Sequence, residues 1–366
     1  MIYIAGYIML LSVLQWFISL VNFIFNPVIK VSEVKFGPLI SVLIPARNEE
    51  KNIKNIILDL LNQQYKNIEI IIFDDQSEDQ TARVVRGYIK HHGNIKLISS
   101  KGLPVGWQGK NYGSYILAKN ANGSFYLFLD ADVRLNDGFI QGLLHDAKKN
   151  NLSLLTIFPK QIMKTQDEKR VVPIMNRILL SLLPLILVRR SGFKSLSAAN
   201  GQCMFFESKA YEKIQPHLIV KGNWIEDIAI ARLMKKCGLK IDCKMGNELI
   251  TCRMYENYQD AIDGFSKNIA AFFGNSLILA FIYALCMILG FVMVVVYLPM
   301  YMLGIYFLLN IMRLVFISRI SRQSFLDNLL YHFHQQFSLI TIIINAFRKR
   351  NNKTLLWKGR SIVNYS

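Results

Sequence analysis

The polar and apolar positions of this 366-residue chain fall into two regimes. Between about residues 39 and 157, short apolar runs alternate with segments of helical periodicity. LISVLI (39–44), IEIIIF (68–73), IKLIS (95–99), 124–129 and 152–157 read as buried strands. Segments at about 48–63, 77–92, 111–120 and 136–149 read as helices, with Ser77 placed to cap the second. Strand and helix in this rhythm predict an α/β fold with a mainly parallel sheet covered by helices. In such sheets ligands bind beyond the carboxyl ends of the strands.

Elsewhere the apolar positions run on without a break. Residues 1–29 contain no charged side chain, and neither do residues 268–312. About 20 apolar residues cross a bilayer as a helix. The first stretch is long enough for one crossing and the second for two, with Pro299 at the turn. Residues 1–29 lack a basic n-region and an A-x-A-like site before Lys30, so they read as a retained anchor. Lys30 and Lys35 follow, and the positive-inside rule then puts the next domain in the cytoplasm, on a multi-pass protein of the cell membrane. The expected division is a transmembrane anchor at 1–29, an α/β domain at 30–270, a transmembrane hairpin at 271–318, and an interfacial or re-entrant helix with a basic cytoplasmic tail at 319–366.

Two segments fit neither regime. VVPIMNRILLSLLPLILVRRSG (171–192) is apolar but interrupted by Pro173, Asn176, Arg177 and Pro184. It reads as a helix lying in the membrane interface, with a buried core helix as the alternative. Segment 325–347 carries His332, His334, Gln335 and Gln336 between basic flanks. An interfacial or re-entrant helix keeps both flanks on one side.

The net charge of +18 changes the picture little. Its basic groups cluster beside the apolar segments, at Arg189–Arg190, Arg319, Arg322 and Arg348–Lys349–Arg350. That suits a lipid surface, and no nucleic-acid module is recognisable, so nucleic acid is not an expected partner. Five cysteines at 203, 237, 243, 252 and 286 form no C-x-x-C pair, which argues for buried thiols in a reduced compartment over a zinc site.

Three acidic motifs stand where strands end: PARNEE after the first, DDQSED after the second, DAD after the fourth. Asp130 and Asp132, at i and i+2, aim at one point, and hard cations such as Mg²⁺ or Mn²⁺ take carboxylate and phosphate oxygens. The alternative is that one of them caps the helix after Asn136. Asp75 is placed to accept from a base N–H, Glu49 to bind ribose hydroxyls, and Lys110 to meet phosphate. Glu49 also suits a helix first turn, and Lys110 a solvated loop. Farther on, Glu226 and Asp227 open a helix after Trp224; acids stabilise a helix N-terminus without catalysis, but a carboxylate there also serves to deprotonate an attacking hydroxyl.

PARNEE, FDDQSEDQT, GWQGK, DADV and WIEDIAIARLMKKCG, in this order, resemble the family-2 glycosyltransferases of GT-A nucleotide-sugar fold over about residues 38–270. RMYENYQDAIDGFSKN, the hairpin and LLWKGRSIV are similar to a membrane-bound bacterial subgroup of carotenoid biosynthesis. The resemblance implies a nucleotide-sugar site of Pro45, Glu49, Asp75, Lys110 and Asp130, with Glu49 and Asp75 on the uridine. It implies a metal motif of Asp130 and Asp132, with Asp132 the stronger ligand candidate, and Asp227 as catalytic base. Glu226, Trp224, Arg253, Lys267, Trp357 and Arg360 fall in acceptor or supporting positions; for RMY and WKGR, snorkelling at the membrane is the alternative. GFSKN (264–268) stands where many membrane-bound members carry Q-x-x-R-W, which argues against a processive polysaccharide synthase.

The resulting expectation is an inverting, metal-dependent transferase with Mg²⁺ or Mn²⁺. It moves one sugar, glucose, from a UDP-sugar to a lipophilic acceptor, a carotenoid carboxylate, at the bilayer. The alternatives are a polyprenyl-phosphate or diacylglycerol sugar transferase, and a non-catalytic membrane scaffold. Acceptor profiling separates the first, and UDP-sugar binding the second. A nucleotidyltransferase would want a glycine-rich phosphate loop after the first strand, and PARNEE is not one.

Overall fold

The computed structural model describes residues 1–32, 36–352, 356–357 and 360–361, with side chains as far as Arg350. Lys35 lies outside them. The chain divides into two compact units. One comprises Val28–Lys160, Val188–Cys252 and Leu356–Ser366, and the other Met1–Pro27, Gln161–Leu187 and Arg253–Leu355. Residues 161–187 and 253–270, inside the expected 30–270 domain, therefore cluster with the apolar helices.

The first unit is built on a seven-stranded sheet. Its strands are β1 (Ile40–Ala46), β2 (Ile68–Asp74), β3 (Ile95–Ser99), β4 (Phe125–Leu129), β6 (Leu154–Phe158), β7 (Cys203–Glu207) and β8 (Ile241–Met245); β5 (Val133–Leu135) and β9 (Ile250–Cys252) pair antiparallel apart from it. The order across the sheet is β3-β2-β1-β4-β7-β6-β8. All neighbours are parallel except β7, which runs antiparallel to both β4 and β6. β1 and β2 are Ile-rich and buried almost throughout, as strands covered on both faces must be. Ile56, Ile57 and Leu60 of the helix Ile53–Leu61 and Leu143 and Leu144 of the helix Phe139–Asn150 share one core with Ile44, Ile70, Ile72 and Leu127. Each such side chain contributes about 1.5–3 kcal/mol when fully buried.

Three local expectations change. Ser77 is not a helix cap: its hydroxyl accepts from the Asn48 N–H at 3.0 Å, and the helix starts at Thr81, whose N–H donates to Asp79 Oδ1 at 2.9 Å. Asp130 and Asp132 cap no helix, because β5 intervenes and the next helix starts at Phe139 after Gly138, at φ +87°. Strands β7 and β8, CMFFE and IDCKM, were not marked by the apolar pattern; a polar residue interrupts or ends each.

The second unit holds three helices long and apolar enough to cross a membrane, Ile2–Phe25, Leu277–Tyr297 and Met300–Ser321. The helix Ile2–Phe25 is turned inside out relative to a water-soluble one. Ser12, Gln15, Ser19 and Asn22, at i, i+3, i+7 and i+10, are buried, while Tyr3, Tyr7, Leu10, Leu14 and Phe17 are exposed. A polar stripe facing protein and an apolar face outward is the solution for a hydrocarbon solvent. The segment expected as one helix over 171–192 is two, Pro173–Leu182 and Ile186–Arg190. Leu183, which precedes Pro184, is extended (φ −130°, ψ 116°), as the clash with the proline ring requires. Asn22 bridges the break: Nδ2 donates to the carbonyls of Leu180 (3.0 Å) and Leu183 (2.9 Å), and Oδ1 accepts from the Leu185 N–H at 2.7 Å. Segment 325–347 is likewise divided, into Phe325–Leu330 and His332–Asn352.

Candidate active site

Acidic residues leave the sheet together at one edge. β1 is hydrogen-bonded to β2 and β4, with Ala46 opposite Asp74 and Leu43 opposite Phe128. Pro45 is half-buried near the end of β1. Glu49, just beyond, is half-buried and accepts from Asn52 Nδ2 at 2.9 Å. Asp75 follows β2 and is 3% exposed; its N–H donates to the Ala46 carbonyl at 2.8 Å, and its own carbonyl accepts from Arg47 at 2.7 Å. The antiparallel β7 brings a fourth segment here. Cys203 faces Leu129, so the turn Asn200–Gly201–Gln202 arrives where β4 ends, and the Asp130 N–H donates to the Gln202 carbonyl at 3.1 Å.

Lys110, on the first turn of the helix Gly109–Lys119, gathers the cluster. Its Nζ lies 2.7 Å from Asp130 Oδ1 and 3.5 Å from Glu226 Oε1, and donates to the Gly201 carbonyl at 3.1 Å. Burial alone would lower the ammonium pKa, but the charges of Asp130, Glu226 and Asp227 outweigh it and raise the group above its ordinary value. Lys110 is thus not a solvated loop charge. It neutralises part of an acidic pocket.

Asp227 is held at both oxygens. Oδ2 accepts from the Gly201 N–H at 3.0 Å, and Oδ1 from the Ile228 N–H at 2.7 Å, at the start of the helix Glu226–Lys236. Burial first, and then the Glu226 charge, push its carboxyl up to about 7 despite those hydrogen bonds and Lys110. Trp224 is half-buried two residues ahead of Glu226.

Gly201 is a site residue that the motif reading missed. It hydrogen-bonds both Lys110 and Asp227, and a Cβ on it would lie 3.1 Å from Glu226 Oε1 and from Lys110 Nζ. Its signal is the Asn-Gly dipeptide of AANGQ, a turn marker.

Asp132 differs from Asp130. Oδ1 of Asp132 is buried and makes no hydrogen bond. Burial, with the charges of Asp130 and Glu49, pushes its carboxyl up to about 7, against Lys110 and a hydrogen bond to Cys252. Among the described residues no group of three His, Cys, Asp or Glu side chains is arranged to hold an ion. The donor set nevertheless fits Mg²⁺ or Mn²⁺. Such ions take few protein carboxylates and fill their remaining positions with phosphate oxygens and water. Asp132 offers an orphaned hard oxygen, while Asp130 already neutralises Lys110.

The raised Asp132 pKa has a sign that can be tested. An unfolded Asp titrates near 3.9, and the folded one near 7, so the native state binds more protons between these values and loses stability as pH rises through them. Asp132→Asn is expected to raise the melting temperature of the metal-free chain by a few degrees at about pH 8 and to leave it unchanged at about pH 4. Thermal unfolding in detergent at both pH values checks this; an equal shift at both would refute it.

Arg253 and Lys267 belong to the unit of apolar helices. Arg253 Nε lies 2.7 Å from Glu168 Oε1 and its Nη1 3.3 Å from Glu256. Glu168 is fully buried and also closes a capping box with Thr165, so Arg253 is engaged in holding that helix start. Burial first, then Lys349, pushes the half-buried Lys267 ammonium down. Trp357 pairs with Arg360 in a two-residue antiparallel ladder, and their side chains lie outside the described residues.

Residues 41–215 match the family described as Glycosyl transferase family 2. The chain is 28% identical over 240 residues, 63% of its length, to the 4,4'-diaponeurosporenoate glycosyltransferase of Staphylococcus haemolyticus, and 24% identical over 242 residues, 65% of its length, to that of Staphylococcus aureus (strain USA300). These matches span 61% and 62% of the relatives' own lengths. Among solved structures, the mannosyltransferase PcManGT from Pyrobaculum calidifontis in complex with GDP-Man and Mn²⁺ superposes with a TM-score of 0.52 at 13% identity, covering 94% of this chain and 99% of its own. A mainly parallel sheet with an acid cluster beyond its strand ends, joined to these matches, shows that the chain carries a Glycosyl transferase family 2 domain over residues 41–215 on a GT-A-like fold.

Proposed function

We propose that the chain is an inverting glycosyltransferase that moves a single sugar, glucose, from a UDP-sugar to a lipophilic acceptor in the cell membrane. The acceptor is a carotenoid carboxylate, which the relatives' name suggests. The observation that carries the reading is the junction of Lys110, Asp130, Gly201, Glu226 and Asp227 beyond the strand ends. Helices apolar enough to cross a membrane support a bilayer-borne acceptor. The charge-free stretch ending just before Lys30 supports a cytoplasmic site.

In this reading Glu49 and Asp75 hold the nucleoside, and Asp130 and Asp132 would hold Mg²⁺ or Mn²⁺. Such a cation supplies positive charge to the diphosphate as it departs. Lys110 keeps Asp130, Glu226 and Asp227 from repelling one another apart. Gly201 fixes Asp227 through its N–H and leaves room for the Lys110 ammonium. Asp227 faces the acceptor nucleophile; a carboxyl titrating near 7 is matched to taking a proton from a hydroxyl acceptor, whereas toward an already ionised carboxylate its part is orienting.

The test is UDP release by the purified full chain in detergent, with Mn²⁺ or Mg²⁺, a panel of UDP-sugars and native lipid extract. Release that requires both a sugar donor and lipid is expected, and mass spectrometry of the product names the acceptor. Absence of release with every donor, together with absence of UDP binding by calorimetry, would overturn the reading in favour of a scaffold. A product on polyprenyl phosphate or diacylglycerol would keep the transferase and replace the acceptor.

A further inference from the structure

The residue after Lys110 is buried for no reason that packing supplies. Asn111, on the first turn of the helix Gly109–Lys119, is 1% exposed. Its Nδ2 lies 3.2 Å from the Val220 carbonyl oxygen, 3.4 Å from that of Lys221 and 3.3 Å from that of Asn223. Three carbonyls around one end of the side chain fix which way the amide points, because an oxygen there would face only acceptors. The other end, Oδ1, is buried and accepts no hydrogen bond. A buried acceptor left without a donor costs about 1–3 kcal/mol. A leucine has the same branched outline and no polar atom, so what the amide adds at this position is its grip on residues 220–223.

Those residues lead from the short helix Pro216–Ile219 into the helix Glu226–Lys236, which opens with Glu226 and Asp227. Lys221, Gly222 and Asn223 are exposed, and they belong to no strand of either sheet. They form a strap. Within it the Asn223 N–H donates to the Val220 carbonyl at 2.8 Å, and the Gln108 N–H reaches across to the Lys221 carbonyl at 2.9 Å. A Cβ on Gly222 would lie 3.5 Å from the Gly106 carbonyl, so the strap runs against the loop that enters the Lys110 helix. Neighbouring residues of one helical turn thus hold the same segment at two places. Lys110 takes the Glu226 carboxylate at 3.5 Å, and Asn111 takes the backbone just ahead of it. An ammonium on a flexible stem attracts its partner without fixing a direction. A donor facing backbone carbonyls fixes where the chain enters.

We propose that Asn111 is a positioning residue of the transfer reaction: it fastens the turn Val220–Asn223 to the helix that carries Lys110, and so sets where Asp227 stands toward the acceptor nucleophile. This role deepens the transferase reading and rests on it for the part that Asp227 plays. It concerns placement and not proton transfer, so it applies to a hydroxyl and to a carboxylate acceptor alike.

The test compares the wild-type full chain in detergent with Asn111→Leu, using native lipid extract and the UDP-sugar of the panel that the wild type turns over. The variant should lose roughly tenfold to a hundredfold in kcat, the effect of a small misplacement of reacting groups. KM for the UDP-sugar and UDP affinity by calorimetry should stay at wild-type values. Trypsin cleavage after the exposed Lys221, followed by mass spectrometry of the peptides, should become several-fold faster. A wild-type kcat in the folded variant, even with a lowered melting temperature, would make Asn111 merely structural and overturn the proposal. Cleavage at Lys221 at the wild-type rate would overturn it too, as would a kcat loss accompanied by an equal loss of UDP affinity. If Asn111→Leu does not fold, the same measurements on Asn111→Ala decide. Wild-type protein that neither releases nor binds UDP sinks the transferase reading, and the tryptic comparison then still reads the tether. Wild-type transfer with an unaffected variant sinks the role of Asn111 alone.

Discussion

Asp132→Ala is expected to lower sugar transfer by roughly 10²–10³-fold, the usual effect of removing one group that stabilises charge at a departing centre. The argument rests on the contrast between two neighbouring carboxylates. Asp130 already has a cation, with Lys110 Nζ at 2.7 Å. Asp132 keeps Oδ1 buried and without a hydrogen bond, beside Asp130 and Glu49, whose charges oppose its ionisation. A folded protein tolerates that arrangement where function requires it. Removing the side chain should therefore relieve repulsion in the metal-free chain while destroying its response to Mn²⁺ or Mg²⁺. The measurement is UDP release against metal concentration, paired with thermal unfolding without metal. A variant that keeps its metal response would refute the role of Asp132. Asp130→Ala should behave differently. It frees Lys110 toward Glu226 and Asp227, so its acid limb should move to lower pH.

The same residues show what was legible in the sequence. The placement of Asp75, Asp130 and Asp132 beyond the strand ends was readable because each stands within three residues of the end of an apolar strand, and parallel strands put such residues on one edge. The first five strands of the sheet were readable for a related reason, as apolar runs bounded by polar turns. Strand β7 was not. Its sequence, CMFFE, follows the small-residue stretch SAANGQ, and it enters the sheet antiparallel, against the rhythm set by the first half. With β7 unseen, Gly201 was unseen too, since its importance lies in the tertiary approach to Lys110 and Asp227. The membrane side divides the same way. Charge-free stretches announced the long helices, but not that Ser12, Gln15, Ser19 and Asn22 form one inward stripe, or that Asn22 bridges the break at Pro184. Arg177 looked like an interruption of an apolar segment. Only packing shows it sharing a cavity with Arg313, which lies 136 positions later in the chain.

Asp227→Asn is expected to divide acceptors by their acidity. For a hydroxyl acceptor, the nucleophile must lose its proton as it attacks, and a positioned base contributes about 10²–10⁴-fold. Asn cannot take that proton, so the loss should fall in this range. A carboxylic acid acceptor is already ionised at neutral pH. Asp227 then has little proton to remove, and its charge opposes the approach of a carboxylate. The loss should be much smaller, and it should shrink further as pH rises and wild-type Asp227 ionises through about 7. Asn keeps the shape and one oxygen to accept from the Gly201 N–H, but its amide nitrogen cannot accept from the Ile228 N–H, so one hydrogen bond is lost along with the charge for both acceptors alike. The measurement is turnover of wild type and variant with a lipophilic acid and the matching alcohol, across pH 5 to 9. A large loss for the alcohol with a small one for the acid would assign Asp227 as a base that this enzyme's own substrate does not need. Equal losses would mean that the residue positions the donor or Lys110, and the proton argument would fall.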